Sequence, residues 1–173
     1  MQALKERQST RAFGPEQLSP QVLSNLLWAA FGVNRADGRR TAPSAMNRQE
    51  VDIYVATAGG LYLFVPKPHS LQAILPDDLR AATGTQDFVR TAALTLVYVA
   101  DYAKMGNSAP EDKLLYSGAG TGFIAQNVYL FCASEGLSTV VRASVDRAAL
   151  AKAMRLRPDQ HIVLVQSVGY RAR

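Results

Sequence analysis

Hydrophobic positions along the chain follow two periods. Val22, Leu23, Leu26, Leu27, Ala30 and Phe31 recur at the three-and-four spacing of an amphipathic helix. Ser19 ahead of Pro20 provides an N-cap and a proline at the first helical position, and Gly32 provides a stop. Met1 to Glu6 reads as a short preceding helix, followed by Arg7 to Arg11 and a break at Gly14-Pro15. Asp52 to Thr57 and Leu61 to Val65 read as strands joined by the hairpin turn Ala58-Gly59-Gly60. Short helices are expected over Pro76 to Ala82 and Gln86 to Arg90. Ala93 to Ala100 is an uninterrupted apolar run, the mark of a strand buried on both faces. Asp146 to Met154 reads as a late helix and Ile162 to Val168 as a last buried strand. Residues 33–48 are polar and carry no period. A loop of that length in a compact domain is usually functional or disordered.

Lys113 to Gly136 is the most informative stretch, because no charge falls between Leu114 and Ser134. Its length would cross a membrane, but Ser117, Gly118, Gly120, Gly122, Gln126 and Asn127 make it too polar for that. Three glycines in one helix cost roughly 1 kcal/mol each relative to alanine, so packing must offset them. Gly118, Gly122 and Ala125 leave one flat face that another backbone can approach. The expectation is a central helix buried on all sides at a dimer interface, with the core of a monomer as the alternative. No repeat, linker or second domain is visible, so residues 1–173 read as one domain.

Composition narrows the class. Hydrophobic residues make up 48%, which argues against disorder, and charged residues only 19%, against the roughly 25% usual for soluble domains. A chain short of charges has reason to cover surface with another subunit. The net charge is +5, and of the 19 basic residues 14 are Arg. A generally basic surface explains this, and so does an anionic ligand, a phosphate-bearing cofactor or a nucleic acid, since the guanidinium fork matches phosphate. Against nucleic acid, the arginines are scattered and aromatics are 8%, with no stacking platform. Cys132 is the single cysteine and reads as packing; His69 and His161 stand apart from any ligating cluster, so no metal site is expected. Met1 to Arg7 lacks the apolar core of a signal peptide, which favours the cytoplasm, with export the alternative if a leader precedes it.

No Ser-His-Asp or Cys-His arrangement, no paired acid and base, and no GxGxxG can be assigned. If the protein is an enzyme, a cofactor carries the chemistry. The candidate anion site is Arg7, Ser9 and Arg11, which point one way if the segment is extended; a solvated basic turn is the alternative.

Four segments change that balance. Arg7-Gln8-Ser9-Thr10-Arg11-Ala12-Phe13 resembles the N-terminal signature of the nitroreductase family, Arg-x-Ser-x-Arg/Lys and an aromatic. Pro43-Ser44-Ala45-Met46-Asn47-Arg48-Gln49 resembles the family's Pro-Ser-Ser/Ala-x-Asn-x-Gln. Gly118 to Leu137 resembles its central helix with the Gly-Leu exit, and Val168-Gly169-Tyr170 the end of its last core strand. The order holds over essentially the whole chain. The short length and the Pro-Ser-Ala form look closest to the branch containing the thiazole- and oxazole-forming oxidases.

The resemblance implies an α+β fold, with a central mixed or antiparallel sheet flanked by helices and a long central helix at a homodimer interface. It implies two FMN sites there, NAD(P)H as electron donor and small-molecule quinone or nitroaromatic acceptors, reduced by ping-pong hydride transfer. It places Arg7, Ser9 and Arg11 on the FMN phosphate and ribityl chain and Gln8 near the ring. Pro43, Ser44, Ala45 and Asn47 would reach the same flavin from the other subunit, and Gln86 would bond the ring's polar edge. The backbone of Thr139, Val140, Val141 and Arg142 would pass the N5 side, and Arg171 and Arg173 would complete the phosphate cage. Tyr102, Met105 and Tyr116 are candidates to line the substrate side, with ordinary packing as the alternative. Three departures stand out: Glu50-Val51 replaces the family's Pro-Trp, the chain given stops at Arg173, and the segment between Ala100 and Lys113 is short. Two other readings are a flavin-dependent oxidase acting on a small or peptide substrate and a basic nucleic-acid-binding protein.

Overall fold

Ser19 caps its helix as expected: its side chain accepts the Val22 N–H, and the Pro20–Phe31 helix (α2, after α1, Gln2–Glu6) ends at Gly32. The computed structural model describes residues 1–172; Arg173, expected in the phosphate cage, lies outside the described residues. The remaining elements are β1 (Val51–Thr57), β2 (Gly60–Val65), β3 (Ser70–Leu75), β4 (Leu94–Asp101), α3 (Pro110–Ser134), β5 (Leu137–Arg142), α4 (Arg147–Ala153) and β6 (Gln160–Tyr170).

Six strands form one sheet in the order β3-β2-β1-β4-β6-β5, with every neighbouring pair antiparallel. Alternation sends successive side chains to opposite faces. Ile53, Val55, Leu94, Leu96 and Tyr98 meet α2 and α3 through Leu26, Leu27, Phe31, Ile124, Val128 and Cys132. Tyr54, Ala56, Val97, Val99 and Val165 meet Leu150 of α4 and Met154 just past its end on the other face. All of β4 is buried, as its unbroken apolar run implies.

Three expectations need correction. No helix occupies Pro76 to Ala82: Asp78 accepts both the Arg80 N–H and its guanidinium, and this local bonding leaves only a 3₁₀ turn at Arg80–Thr83. Gln86 to Arg90 is likewise a 3₁₀ turn, Asp87–Arg90. Strand β3 had no signal because it is an edge strand with a mostly exposed face, and a bulge opposite Leu61 and Tyr62 breaks its alternation.

Helix α3 starts a turn earlier than expected, with Pro110 at its first position and Glu111 and Asp112 complementing the dipole. Within the chain it is not buried on all sides. Its inner face is in the core, while Leu114, Leu115 and Phe123 are exposed and nothing lies within 4 Å of a Cβ built at Gly118 or Gly122. Gly120 does have a neighbour, the Glu50 carboxylate, 3.2 Å from such a Cβ. No helix among the described residues is long and apolar enough to cross a membrane.

Candidate functional site

The N-terminal signature docks against the free edge of the sheet. Thr10 donates its N–H to the Thr139 carbonyl at 2.9 Å, and the Thr139 N–H returns to Thr10 Oγ1 at 3.1 Å. Further along, Phe13 pairs with Arg171 and Gly14 N–H reaches the Tyr170 carbonyl. Residues 9–13 thereby act as a partial seventh strand beside β5 and the end of β6.

Tyr129 of α3, which the sequence reading did not single out, organises this corner. Its hydroxyl lies 2.7 Å from Ser9 Oγ and accepts the Val141 N–H at 3.0 Å, while the Arg7 guanidinium sits over its ring at 5.1 Å. A tyrosine on the buried side of a helix looks like core in sequence; only the fold brings signature and strand to it. Of the backbone expected near N5, the Val141 and Thr139 N–H groups are thus already paired.

Arg7, Gln8 and Arg171 line one open cleft of about 530 Å³ with Lys5 and Glu6 and the end of α3. Three cations face one carboxylate and the helix C-terminus, equivalent to roughly half a negative charge. The balance favours an anion, and the donor set fits the phosphate of FMN. Arg11 is exposed and does not line the cleft with them.

At the far end of β5, Arg142 and Gln86 come together. Arg142 donates to the Thr83 carbonyl at 3.0 Å, Ser167 Oγ at 3.0 Å and Gln86 Oε1 at 3.4 Å, and Gln86 donates on to Ser144 Oγ. Burial pushes the Arg142 guanidinium down to about 10, so it remains charged at neutral pH. Gly84 permits this arrangement sterically, since a Cβ there would collide with Arg142 Nη1. Ser167 continues the network to Thr95 Oγ1 at 3.1 Å, and beside it Tyr98 donates to Gln166 and Gln166 to Thr139. Val140 is buried in the small cluster of Phe13 and Ala92.

Pro43, Ser44 and Asn47 line a different cleft, with Arg35, Arg39 and Arg40. Ala45 begins the 3₁₀ turn Ala45–Asn47. Met46, Asn47 and Gln49 all have positive φ, 51°, 53° and 51°. Three such non-glycine residues store strain of order 1–3 kcal/mol each, which clusters at functional sites. Hydrogen bonds hold the conformation: Gln49 N–H to Ser44 Oγ, and the Gln49 amide to Gly38 O and Asn47 Oδ1. Within one chain this cleft shares no residue with that of Arg7 and Arg171.

The substrate-side candidates are dispersed. Tyr102 packs on His161 at 4.3 Å between ring centroids, Met105 is buried, and Tyr116 is half-buried on α3. Glu50, the departure from Pro, is wholly buried, and neither carboxylate oxygen has a hydrogen-bond partner among the described residues.

Comparison with known proteins bears on the whole chain. Residues 4–170 match the model of the nitroreductase family. A Methanocaldococcus jannaschii protein assigned to the nitroreductases is 33% identical over 147 residues, 79% of this chain and 74% of its own. A solved Ralstonia eutropha structure, likewise assigned, superposes with a TM-score of 0.95 at 44% identity, covering 99% of this chain and 82% of that one. A chain of the E. coli microcin synthetase complex shares the fold, with a TM-score of 0.83 at 20% identity over 100% of this chain and 74% of its own. The protein is therefore an enzyme that belongs to the nitroreductase family of FMN- and NAD(P)H-using oxidoreductases.

Proposed function

We propose that residues 1–173 form one FMN-binding unit of a homodimeric NAD(P)H oxidoreductase that reduces small quinone- or nitroaromatic-type acceptors. The observation carrying this reading is the convergence of Arg7 and Arg171, 164 positions apart in sequence, on one cationic cleft beside the Ser9–Tyr129–Val141 hydrogen bonds. Bound FMN would supply a ring that takes hydride from the nicotinamide and yields it to the acceptor in the same place, one after the other.

The chain's own residues bind and orient. Arg7 and Arg171 hold the phosphate, with Arg11 closing on it from outside the cleft, and Ser9 and Gln8 position the ribityl chain and ring. Ser9 is pre-set by Tyr129, so little ordering cost remains on binding. Gln86 and Arg142 act as one hydrogen-bonded unit at the ring's polar edge, where a fixed positive charge stabilises electron density arriving on the ring. The backbone of Val140 and its neighbours in β5 flanks the ring. Pro43, Ser44, Ala45 and Asn47 complete the site of the other subunit, which accounts for two half-sites that share no residue in one chain. Tyr102 and Tyr116 flank the substrate opening, and Met105 packs beneath it. The exposed apolar face of α3 supplies the subunit contact. Within the family, the Pro-Ser-Ala form and the short segment before α3 favour the azole-forming branch.

The test is the absorbance spectrum of purified protein, first alone, then with FMN, then with NADH or NADPH under anaerobic conditions. Flavin bands that bleach on addition of a reduced nicotinamide are expected. FMN bound but indifferent to both nicotinamides would move the assignment to an oxidase acting on a small or peptide substrate. A protein that takes up no FMN would sink the reading.

A further inference from the structure

The flavin contacts proposed for Pro43, Ser44 and Asn47 leave the three arginines of their cleft unexplained. Arg35, Arg39 and Arg40, from the long polar loop after α2, line about 390 Å³ of space with Ser44 and Asn47 and no carboxylate. The loop is held in shape by Val33 pairing with Arg40, by Asn34 N–H to Arg39 O, and by the Arg35 guanidinium to Arg40 O and Asn34 Oδ1. Three guanidiniums on a braced backbone are pre-organised cations, unlike arginines on a free tail.

The unused valence of this cleft is almost wholly donor. Ser44 Oγ already accepts the Gln49 N–H, which leaves its O–H to give. Asn47 Oδ1 already accepts the Gln49 amide, which leaves its NH₂. Arg40 lies over the Phe31 ring at 4.3 Å, and its Nε is buried without a partner. Burial pushes the Arg40 guanidinium below its usual value, against the pull of Asp52. Besides Asp52, Asp37 competes, pairing with Arg39 at 3.0 Å where both side chains are at least half exposed, so that pair contributes little. A cleft lined by three arginines, one of them partly buried with an unpaired Nε, and by no carboxylate suits a ligand that is acceptor-only and more than singly charged.

We infer that this cleft recognises a phosphate dianion, and that the phosphate is one carried by the enzyme's nicotinamide electron donor. The inference rests on the proposed function for the donor's identity, but the phosphate site itself does not. Its walls include Pro43, Ser44 and Asn47, the segment proposed to face the flavin, so a donor anchored by phosphate here has its ring end beside the place of reaction. Binding energy from this remote group is then available to orient the reacting one.

The experiment is calorimetric titration of FMN-loaded protein with adenosine 2′,5′-bisphosphate, ADP and inorganic phosphate, comparing wild type with Arg35→Gln/Arg39→Gln and Asp37→Asn. A nucleotide phosphate is expected to bind at least about tenfold more tightly than inorganic phosphate, and the double variant to lose about tenfold. Asp37→Asn, which frees Arg39, should tighten binding, an outcome that misfolding cannot mimic. Preference for the bisphosphate over ADP would assign the 2′-phosphate of NADPH, preference for ADP the pyrophosphate, and parity the 5′-phosphate that the two share. Inorganic phosphate binding as tightly as either nucleotide would keep the phosphate site but overturn the donor as its source. Wild-type affinity in the double variant for all three would overturn the site. Flavin absorbance of the same samples reads FMN uptake separately, so loss of the flavin assignment and loss of the phosphate site are distinguishable.

Discussion

Single residues in this protein earn their roles from what they hold. Tyr129 joins Ser9 of the N-terminal signature to the Val141 amide of β5 through one hydroxyl. Tyr129→Phe keeps the ring under Arg7 but leaves the Val141 N–H without its acceptor. An unsatisfied, partly buried donor costs about 1–3 kcal/mol. We expect a lower Tm by calorimetry and FMN affinity weaker by about tenfold in a fluorescence titration; unchanged values in both would show Tyr129 to be packing alone. Residue types suited to an anion were legible in sequence, because a guanidinium carries its chemistry in the residue itself, but of the two signature arginines only Arg7 lines the cleft. Their hub was not legible, because nothing local marks a core tyrosine 120 positions away as the partner of Ser9. Arg142 and Gln86 show the same limit: 56 residues apart, they meet only because Gly84 leaves room.

At the scale of elements, α3 carries the clearest prediction. Its uncharged run and three glycines were visible in sequence, and so was the need for something to offset about 1 kcal/mol per glycine. The structure divides that role: Gly120 clears the Glu50 carboxylate inside the chain, and Gly118 and Gly122 lie on an open face with Leu115 and Phe123. If that face meets a second copy, Phe123→Glu places a charge in the contact. Phe123 is 49% exposed within the chain, so the substitution should change the stability of one subunit by no more than about 0.5 kcal/mol. Sedimentation should show a monomer in place of a dimer, and bound FMN should fall with it. A dimer that persists with full FMN would place the contact elsewhere. Strands β1, β2, β4 and β6 were readable because period-2 alternation or an unbroken apolar run survives in them. Strands β3 and β5 were not: a bulge shifts the alternation of β3 and its outer face is exposed, and β5 is short with Ser138 and Thr139 buried among its apolar residues.

For the whole molecule, the proposed homodimer, in which one subunit's cleft meets the other cleft of its partner, predicts complementation between subunits. Arg7→Ala spoils one half-site and Asn47→Ala the other, so each homodimer should be inactive or nearly so. In a mixed dimer the two lesions fall in one site and leave the second intact. Equal mixing with subunit exchange makes half the dimers mixed, so about a quarter of wild-type activity should return. Absence of recovery, with exchange verified, would put both clefts on the same subunit's site.

The linear chain carries its helix caps, its buried strands, its excess of arginine and the order of four family segments. These are local or additive properties: a cap needs three neighbouring residues, a buried strand one run of eight, a charge balance only a count. The turn at Arg80, the pairing of residues 9–13 with β5 and the gathering of Arg7 with Arg171 are of another kind. Each depends on segments distant in sequence arriving at one place, where competing hydrogen bonds and steric clearance choose among conformations that local preference leaves nearly equal in free energy.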